Sequence, residues 1–387
     1  MAGNVVKIEY HSDLKEVQSD GQLARLLSDA CQHAPFDRLA WWQMLEEHCG
    51  LPPLLAVARE GDQAAVLPLA LQSGTAFAPN TSVAPAQAGA PLSSALEPEA
   101  GAPPARGRRG GFTRTSGLGH LSALANWYTF RFRPILAGEP ALLTALARDL
   151  ARQSHRVTLS GVPDEDGSAT QLTEAFRAAG WLVLREACDT NHVLPVEGRS
   201  YEAYIAARPG RLRTTLKRKS GKVETQVLTH FDEDVWAAYE DIYAESWKPE
   251  EGSPDFLRAF ARAEGGAGRL RLGVARVGGE AVAAQMWTVE GGTAFIHKLA
   301  HREAAKPFSP GSVLTAALFR HVIDGDAVDL VDFGTGGDPY KRDWMEQVRP
   351  RFRLDMFRPA APANWPFLAK TGLRRGLSRL AAKAKRG

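Results

Sequence analysis

Apolar positions along this chain fall into short blocks whose period alternates between that of a helix and that of a strand. Leu23, Leu26 and Leu27 make one stripe at helical spacing, and Leu39, Trp42 and Leu45 make another. Leu54–Arg59 and Ala64–Leu69 then predict two short strands joined by the turn Glu60-Gly61-Asp62. A strand over 128–136 follows, then a helix over 139–152 with Leu142, Leu143, Leu146 and Leu150 on one side. A strand at 156–160, a helix around 168–179 and a strand at 181–187 complete the first half. Such alternation predicts an α/β domain.

The second half repeats the theme. Val235, Trp236, Tyr239, Ile242 and Tyr243 predict a helix over about 232–247, and another runs over about 254–263. Leu270–Val277, Ala281–Val289 and Thr293–Ala300 predict three strands, with tight turns at Gly278-Gly279 and Gly291-Gly292. A helix at 310–323 and a buried strand at 328–333 close the unit. Between the halves, Tyr201, Tyr204 and Ile205 share a helical face that Arg208-Pro209-Gly210 breaks. The basic run Arg211–Lys219 has only Leu212 and Leu216 as apolar positions. It reads as a solvated helix face or as a basic wall beside an anionic ligand.

Length and charge refine this picture. A chain of 387 residues suits two domains, and 44% hydrophobic with 24% charged residues is ordinary for a soluble globular protein. The boundaries predicted are 1–198, 199–360 and a tail at 361–387. Residues 78–110, rich in Ala, Pro, Gly and Ser, read as a disordered loop. Cys31, Cys49 and Cys188 are odd in number and lack metal-ligand spacing, so neither a disulfide framework nor a metal site is expected. Met1–Val17 has no apolar h-region, and the prolines in the uncharged stretch 63–96 exclude a membrane span, so the expected location is cytoplasmic. The net charge of +3 is outweighed by seven basic residues in 366–387, which leaves the rest net acidic. A nucleic-acid partner is therefore not expected.

The chemistry gathers after the third strand of the second half. Ser309 suits a helix N-cap, Pro310 the first helical position, and Gly311 close approach of a ligand. The free N–H groups of such a start, including that of Ser312, suit a pyrophosphate, with His301, Arg302 and Lys306 adding charge. Taken alone, the motif is also an ordinary capped start. Three antiparallel strands, a glycine turn, a helix and a strand are, however, the order of the GNAT core, which 232–358 resembles. Glu245-Ser246-Trp247-Lys248, Ser309-Pro310-Gly311, Asp332-Phe333-Gly334 and Tyr340-Lys341 look like the CelD-type acyltransferases, relatives of the Fem-type transferases. The resemblance implies an α/β (α+β) fold of tandem GNAT-like lobes, with mixed, mainly antiparallel sheets flanked by helices. It also implies an acyl-CoA cosubstrate without a metal. The usual Arg/Gln-x-x-Gly-x-Gly/Ala phosphate signature is absent, which leaves the acyl carrier open.

Transfer of an acyl group from a thioester needs a neutral amine, a donor to the oxyanion and a proton for the thiolate. Tyr340 stands where many GNAT enzymes place a tyrosine acid, and Lys341 suits an anionic intermediate or a phosphate. By period two, Phe295, His297, Leu299 and His301 share one strand face, which makes His297 a candidate base or a satisfied half-buried histidine. Asp332 is placed to orient the amine or to end a strand, and Trp247 with Lys248 to line the acceptor side. In the tail, Leu373, Leu377, Leu380 and Ala384 lie at helical spacing among basic residues. That pattern suits an anionic membrane surface on the inner face of the cytoplasmic membrane, or a solvated end. The reading is an N-acyltransferase acting on an envelope amine, leaning to a sphingoid-like lipid base as in a bacterial ceramide synthase, a lean resting on that tail and on the aromatic helix at 235–247. Alternatives are acetyl transfer to an amino sugar of exopolysaccharide biosynthesis, a Fem-like aminoacyl transfer, or a non-catalytic binder.

Overall fold

The computed structural model describes residues 5–71, 119–246 and 248–370. The loop expected at 78–110, Trp247 and the amphipathic part of the tail lie outside the described residues. In chain order the first half runs β1 (Lys7–His11), α1 (Leu14–Ser19), α2 (Gly21–Leu26), α3 (Leu39–Cys49), β2 (Pro53–Glu60), β3 (Gln63–Leu71), β4 (Gly119–Ala123) and β5 (Ile135–Ala137). It continues with α4 (Ala141–Gln153), β6 (Ser154–Val162), α5 (Ser168–Ala178) and β7 (Leu182–Pro195). After α6 (Tyr201–Ala206) and α7 (Gly210–Lys219) come β8 (Glu224–Leu228), α8 (Glu233–Ala244), α9 (Pro254–Gly266), β9 (Leu270–Val277), β10 (Glu280–Glu290) and β11 (Thr293–His301). The chain closes with α10 (Pro310–Arg320), β12 (Leu330–Thr335), α11 (Lys341–Trp344) and β13 (Gln347–Phe357).

These strands form one mixed 13-stranded sheet in the order β1-β2-β3-β4-β6-β13-β7-β12-β11-β10-β9-β8, with β5 beside β3. The two halves exchange strands at the centre. β13, from the end of the chain, pairs with β6 from Phe352↔Val162 to Phe357↔Arg156 and with β7 along its whole length. β7, from the first half, pairs with β12 through Leu330↔Pro195 and Val331↔Leu194. Among the described residues, three apolar clusters support the sheet. One belongs to the first half plus Leu354 and Met356 of β13, and one packs α10 on the second-half strands. The third joins the halves, packing Phe36, Trp41 and Trp42 against Trp236, Phe256, Phe260 and Phe295.

Most helices and hairpins fall where the apolar pattern places them, and three segments differ. The strand expected over 128–136 is confined to Ile135–Ala137, because the preceding stretch spends its hydrogen bonds on turns such as Thr129 N to Asn126 O. β7 extends well past 187, held by partners on both sides. β13 was not expected at all: apart from the Arg353–Asp355 pair within the strand, its charged positions are satisfied by residues far off in the chain. Arg351 is 1% exposed and donates to Glu165 at 2.9 Å and to Asn191 at 2.8 Å.

Candidate functional site

The parallel pair β11–β12 is short. Its register runs Thr293↔Leu330, Ala294↔Val331, Phe295↔Asp332, and no further pairing follows, although both strands continue. A wedge-shaped gap therefore opens in the sheet between Ile296–His301 and Phe333–Thr335. On the other edge of β11, the register with β10 slips from Trp287↔Ile296 to Met286↔Lys298, so His297 is a bulged residue without a partner.

The bulge overturns the period-two expectation for β11. Phe295 and His297 face the core between the halves, whereas Leu299 packs on the second-half core and the His301 ring rests against Gly311 of α10. His297 and His301 thus lie on opposite faces. His297 sits among aromatic rings, with centroids 5.1 Å from Phe260 and 5.2 Å from Phe130, and its Nε2 is 2.8 Å from Thr288 Oγ1. Burial lowers its pKa to about 3, with the Lys298 ammonium adding to the effect. A ring with so low a pKa is neutral near pH 7 but a weak proton acceptor, poorly matched to the work of a base there.

At the open end of the gap stands α10. Gln285 of β10 fixes its first turn, donating from Nε2 to Gly311 O at 3.1 Å and to Thr315 Oγ1 at 2.7 Å. Ser309 precedes the helix with φ 53°, a left-handed conformation costly for a non-glycine residue, and doubly so before a proline. Its side chain makes no cap, contrary to expectation, so among the described residues the first-turn N–H groups of Gly311 and Ser312 have no capping side chain. Pro310 is buried, while Gly311 and Ser312 are half-buried. Arg302 does not serve this turn: its guanidinium pairs with Asp241 and Glu245 and donates to Ala281 O at 3.0 Å. Lys306 is exposed and pairs with Glu303 at 2.5 Å. The basic helix α7 approaches instead, with Lys219 Nζ donating to Pro307 O at 2.7 Å.

Three lysines, Lys248, Lys298 and Lys341, are linked electrostatically through Lys248. Lys298 pairs with Glu251 at 2.8 Å, and the same carboxylate accepts from Tyr128. Lys341, 5% exposed, donates to Thr335 O and lies 3.8 Å from Asp338. Lys248 feels both: burial, then the Lys298 ammonium, lowers its pKa to about 8 against the pull of Glu251 and Asp338. Tyr340 stands edge-on to Phe333 at 5.6 Å and remains 39% exposed. Burial of its hydroxyl and the Asp338 carboxylate raise its pKa, so the phenol keeps its proton. Asp332 is 6% exposed and accepts from Asn191 at 2.6 Å and from the Gly334 N–H at 2.7 Å. Through Asn191 it connects to Arg351 and Glu165, a chain that crosses the junction of β12, β7 and β13.

Thus Lys248, Lys341, Tyr340 and Asp332 gather around the gap, with Ser309–Ser312 at its end. Arg302 does not join them, and His297 joins as a packed neutral ring. Sequence reasoning missed Lys298, Glu251 and Tyr128, whose partnership joins residues more than a hundred positions apart. It also missed His192, buried at 1% exposure with an unpartnered Nδ1, whose pKa is lowered by burial and then by Lys341.

Residues 210–342 match the family described as the acetyltransferase (GNAT) domain. Among solved structures, FemX is 9% identical with a TM-score of 0.55, covering 90% of this chain and 96% of its own. A tandem GNAT protein from the clavulanic acid biosynthesis pathway is 13% identical with a TM-score of 0.48, covering 90% and 98%. L-PGS from Bacillus licheniformis is 13% identical with a TM-score of 0.43, covering 67% and 83%. No curated protein matches the chain. Residues 210–342 thus match an acetyltransferase (GNAT) domain, and the chain as a whole has a two-lobed fold like that of FemX.

Proposed function

We propose that this protein transfers an acyl group from a coenzyme A thioester to the amine of a cell-envelope molecule. The observation that carries the reading is the gap between β11 and β12 with the uncapped start of α10 at its end. The first-turn N–H groups of Gly311 and Ser312 would hold the pyrophosphate, assisted by the dipole of α10 and by Lys219. The pantetheine arm would lie along the gap, with the thioester carbon beside the bulge. There the peptide groups released from the ladder at His297 are available to the oxyanion.

Lys248, with its pKa near 8, is neutral in a useful fraction near pH 7 and is the base we assign to the incoming amine. Tyr340, protonated and half in solvent, is assigned to the departing thiolate. Lys341, held by Thr335 O, supplies positive charge to the same end of the gap, and Asp332 positions the backbone at Gly334.

On the acceptor, the aromatic helix that favoured a lipid base is core: Trp236, Tyr239 and Ile242 of α8 are all buried. That removes one of two supports for the sphingoid reading; the other, the basic tail, lies beyond the described residues. No helix among the described residues is long and apolar enough to cross a membrane.

The test is release of free coenzyme A thiol from acetyl-CoA and palmitoyl-CoA with amino-sugar and sphingoid-base acceptors. Release that depends on an acceptor amine and falls in Lys248→Met supports the reading. Release no faster than the uncatalysed rate with every donor and acceptor would refute it.

A further inference from the structure

The loop between α8 and α9 carries Lys248, and both halves of the chain hold it in place. At its start Ser246 Oγ donates to Tyr243 O at 2.7 Å, and the Tyr243 hydroxyl donates to Pro249 O at 3.2 Å. At its end the hydroxyl of Tyr128, from the first half, donates to Glu251 Oε1 at 2.5 Å and accepts from the Ser253 N–H at 3.0 Å. Ser253 Oγ adds a bond to His48 O at 3.2 Å. Gly252 admits the Trp127 ring, since a Cβ there would stand 2.4 Å from it. Lys298 of β11 completes the arrangement, with its ammonium 2.8 Å from the Glu251 carboxylate and 4.6 Å from the centroid of the Tyr128 ring. Lys298 and Lys248 also meet around one ring: their ammonium nitrogens lie 5.6 Å and 5.9 Å from the centroid of Tyr243.

We infer that Lys298 and Glu251 are a positioning pair for Lys248: the carboxylate anchors the loop that carries it, and the ammonium stands beside it at the Tyr243 ring. The inference rests on the reading of Lys248 as the base and adds what sets its place and its charge. Lys298 has a carboxylate in direct contact, whereas among the described residues Lys248 has none. Of two neighbouring ammonium groups, the one without a counter-ion gives up its proton first. Lys248 is brought down to about 8 by burial and next by Lys298, while Glu251 opposes more weakly, so the net influence of the pair is downward. The other groups around Lys248 leave this balance in place. Asp338 and Lys341, after β12, carry opposite charges 3.8 Å apart and so largely offset each other. His301 of β11, lowered by burial, is neutral near pH 8. The Tyr243 phenol of α8, raised to about 12 by burial and then by Glu251, is neutral there too.

The experiment is competitive labelling of the full chain with trace acetic anhydride across a pH series, with the label on Lys248 read by peptide mass spectrometry. It reports the titration of this one lysine without any substrate. Wild type, Lys298→Arg, Lys298→Met and the double variant Lys298→Met with Glu251→Gln are compared. Wild type and Lys298→Arg, which keeps the charge and the ion pair, are expected to titrate near 8 at Lys248. Lys298→Met removes the cation and leaves the Glu251 carboxylate to Lys248, so the titration should move up by about one pH unit or more. The double variant removes both charges and should fall between. It leaves no unpaired carboxylate in the core, so it carries the test if Lys298→Met does not fold. For the anchoring role, Glu251→Ala is expected to speed hydrogen exchange of the amides of 248–253 by about tenfold. Titration at one pH in all four proteins overturns the inference, as does a shift in Lys298→Arg equal to that in Lys298→Met. Unchanged exchange in Glu251→Ala overturns the anchoring. Thiol release from acetyl- and palmitoyl-CoA reports separately on the underlying reading: release undiminished in Lys248→Met overturns that reading, and this inference with it.

Discussion

Each half of this molecule starts a helix with proline just after a strand region, and the two starts have opposite characters. Glu139-Pro140-Ala141-Leu142-Leu143 opens α4, and Ser309-Pro310-Gly311-Ser312-Val313 opens α10. The surroundings match in outline. β4 and β6 form the parallel pair beside α4, as β11 and β12 do beside α10. In the first half, however, the pair is followed by Phe132, whose N–H donates to Gly161 O at 3.0 Å and whose ring joins the core. In the second half the strands part and stay apart. The first helix start carries the carboxylate of Glu139 and buries Leu142 and Leu143, which repels an anion and fills the approach. The second carries only small residues at its opening, with Lys219 nearby. One architecture thus yields a first lobe in which Phe132 follows the parallel pair and a second in which the pair parts at Asp332, the lobe we propose to be reactive.

The sharpest way to break this comparison is to give the second start the character of the first. Gly311→Glu places a carboxylate among the N–H groups we propose for the pyrophosphate, and thiol release should fall by about a hundredfold or more. Glu139→Ala in the first lobe should leave it within about twofold. If the two substitutions hurt equally, the asymmetry has no functional content. Next in size is Tyr340→Phe, expected to lower turnover by about 10²-fold or more while affinity for the thioester holds. Equal turnover would remove the tyrosine as acid.

The pH dependence offers a subtler cut. Lys248 is a base only when neutral, so turnover should rise with pH and level off above about 8. Lys248→Met should be slow and lose this inflection, and an unchanged inflection would assign it elsewhere. Smallest is a stability effect between the halves. Arg38 reaches Glu264 at 3.0 Å and Glu290 at 3.2 Å, with burial raising Glu290 to about 7. A carboxyl raised above its unfolded value adds stability that is complete below about 4.5 and is lost as pH rises through about 7. Glu290→Gln should therefore gain in melting temperature relative to wild type between pH 5 and pH 8. A difference that stays flat over that range would show that Glu290 titrates normally.

The second lobe was the more legible in the sequence because its signals are local. Gly278-Gly279 and Gly291-Gly292 punctuate three strands, and Ser309-Pro310-Gly311 marks the start of α10. What escaped depends on distant partners. β13 alternates Arg349, Arg351, Arg353 and Asp355 with apolar residues and contains Pro350, so nothing in it reads as a central strand. Glu165, Asn191, Thr158 and Arg156, together with the Arg353–Asp355 pair within the strand, make its charges acceptable inside a sheet. The same holds within the site. Tyr340, Lys341 and Asp332 were visible from the family resemblance, but a one-residue bulge turned His297 away from His301. Arg302 looked free until α8 placed Asp241 and Glu245 against it. Lys298 and Glu251 carry no local pattern at all.

We propose that one lobe alone binds the thioester, at the gap beside α10. Calorimetric titration of the full chain with coenzyme A tests it most directly, comparing wild type with Gly311→Glu and Glu139→Ala. One site per chain is expected in wild type and in Glu139→Ala, and no measurable binding in Gly311→Glu. Two sites per chain, or a site that survives Gly311→Glu, would contradict it.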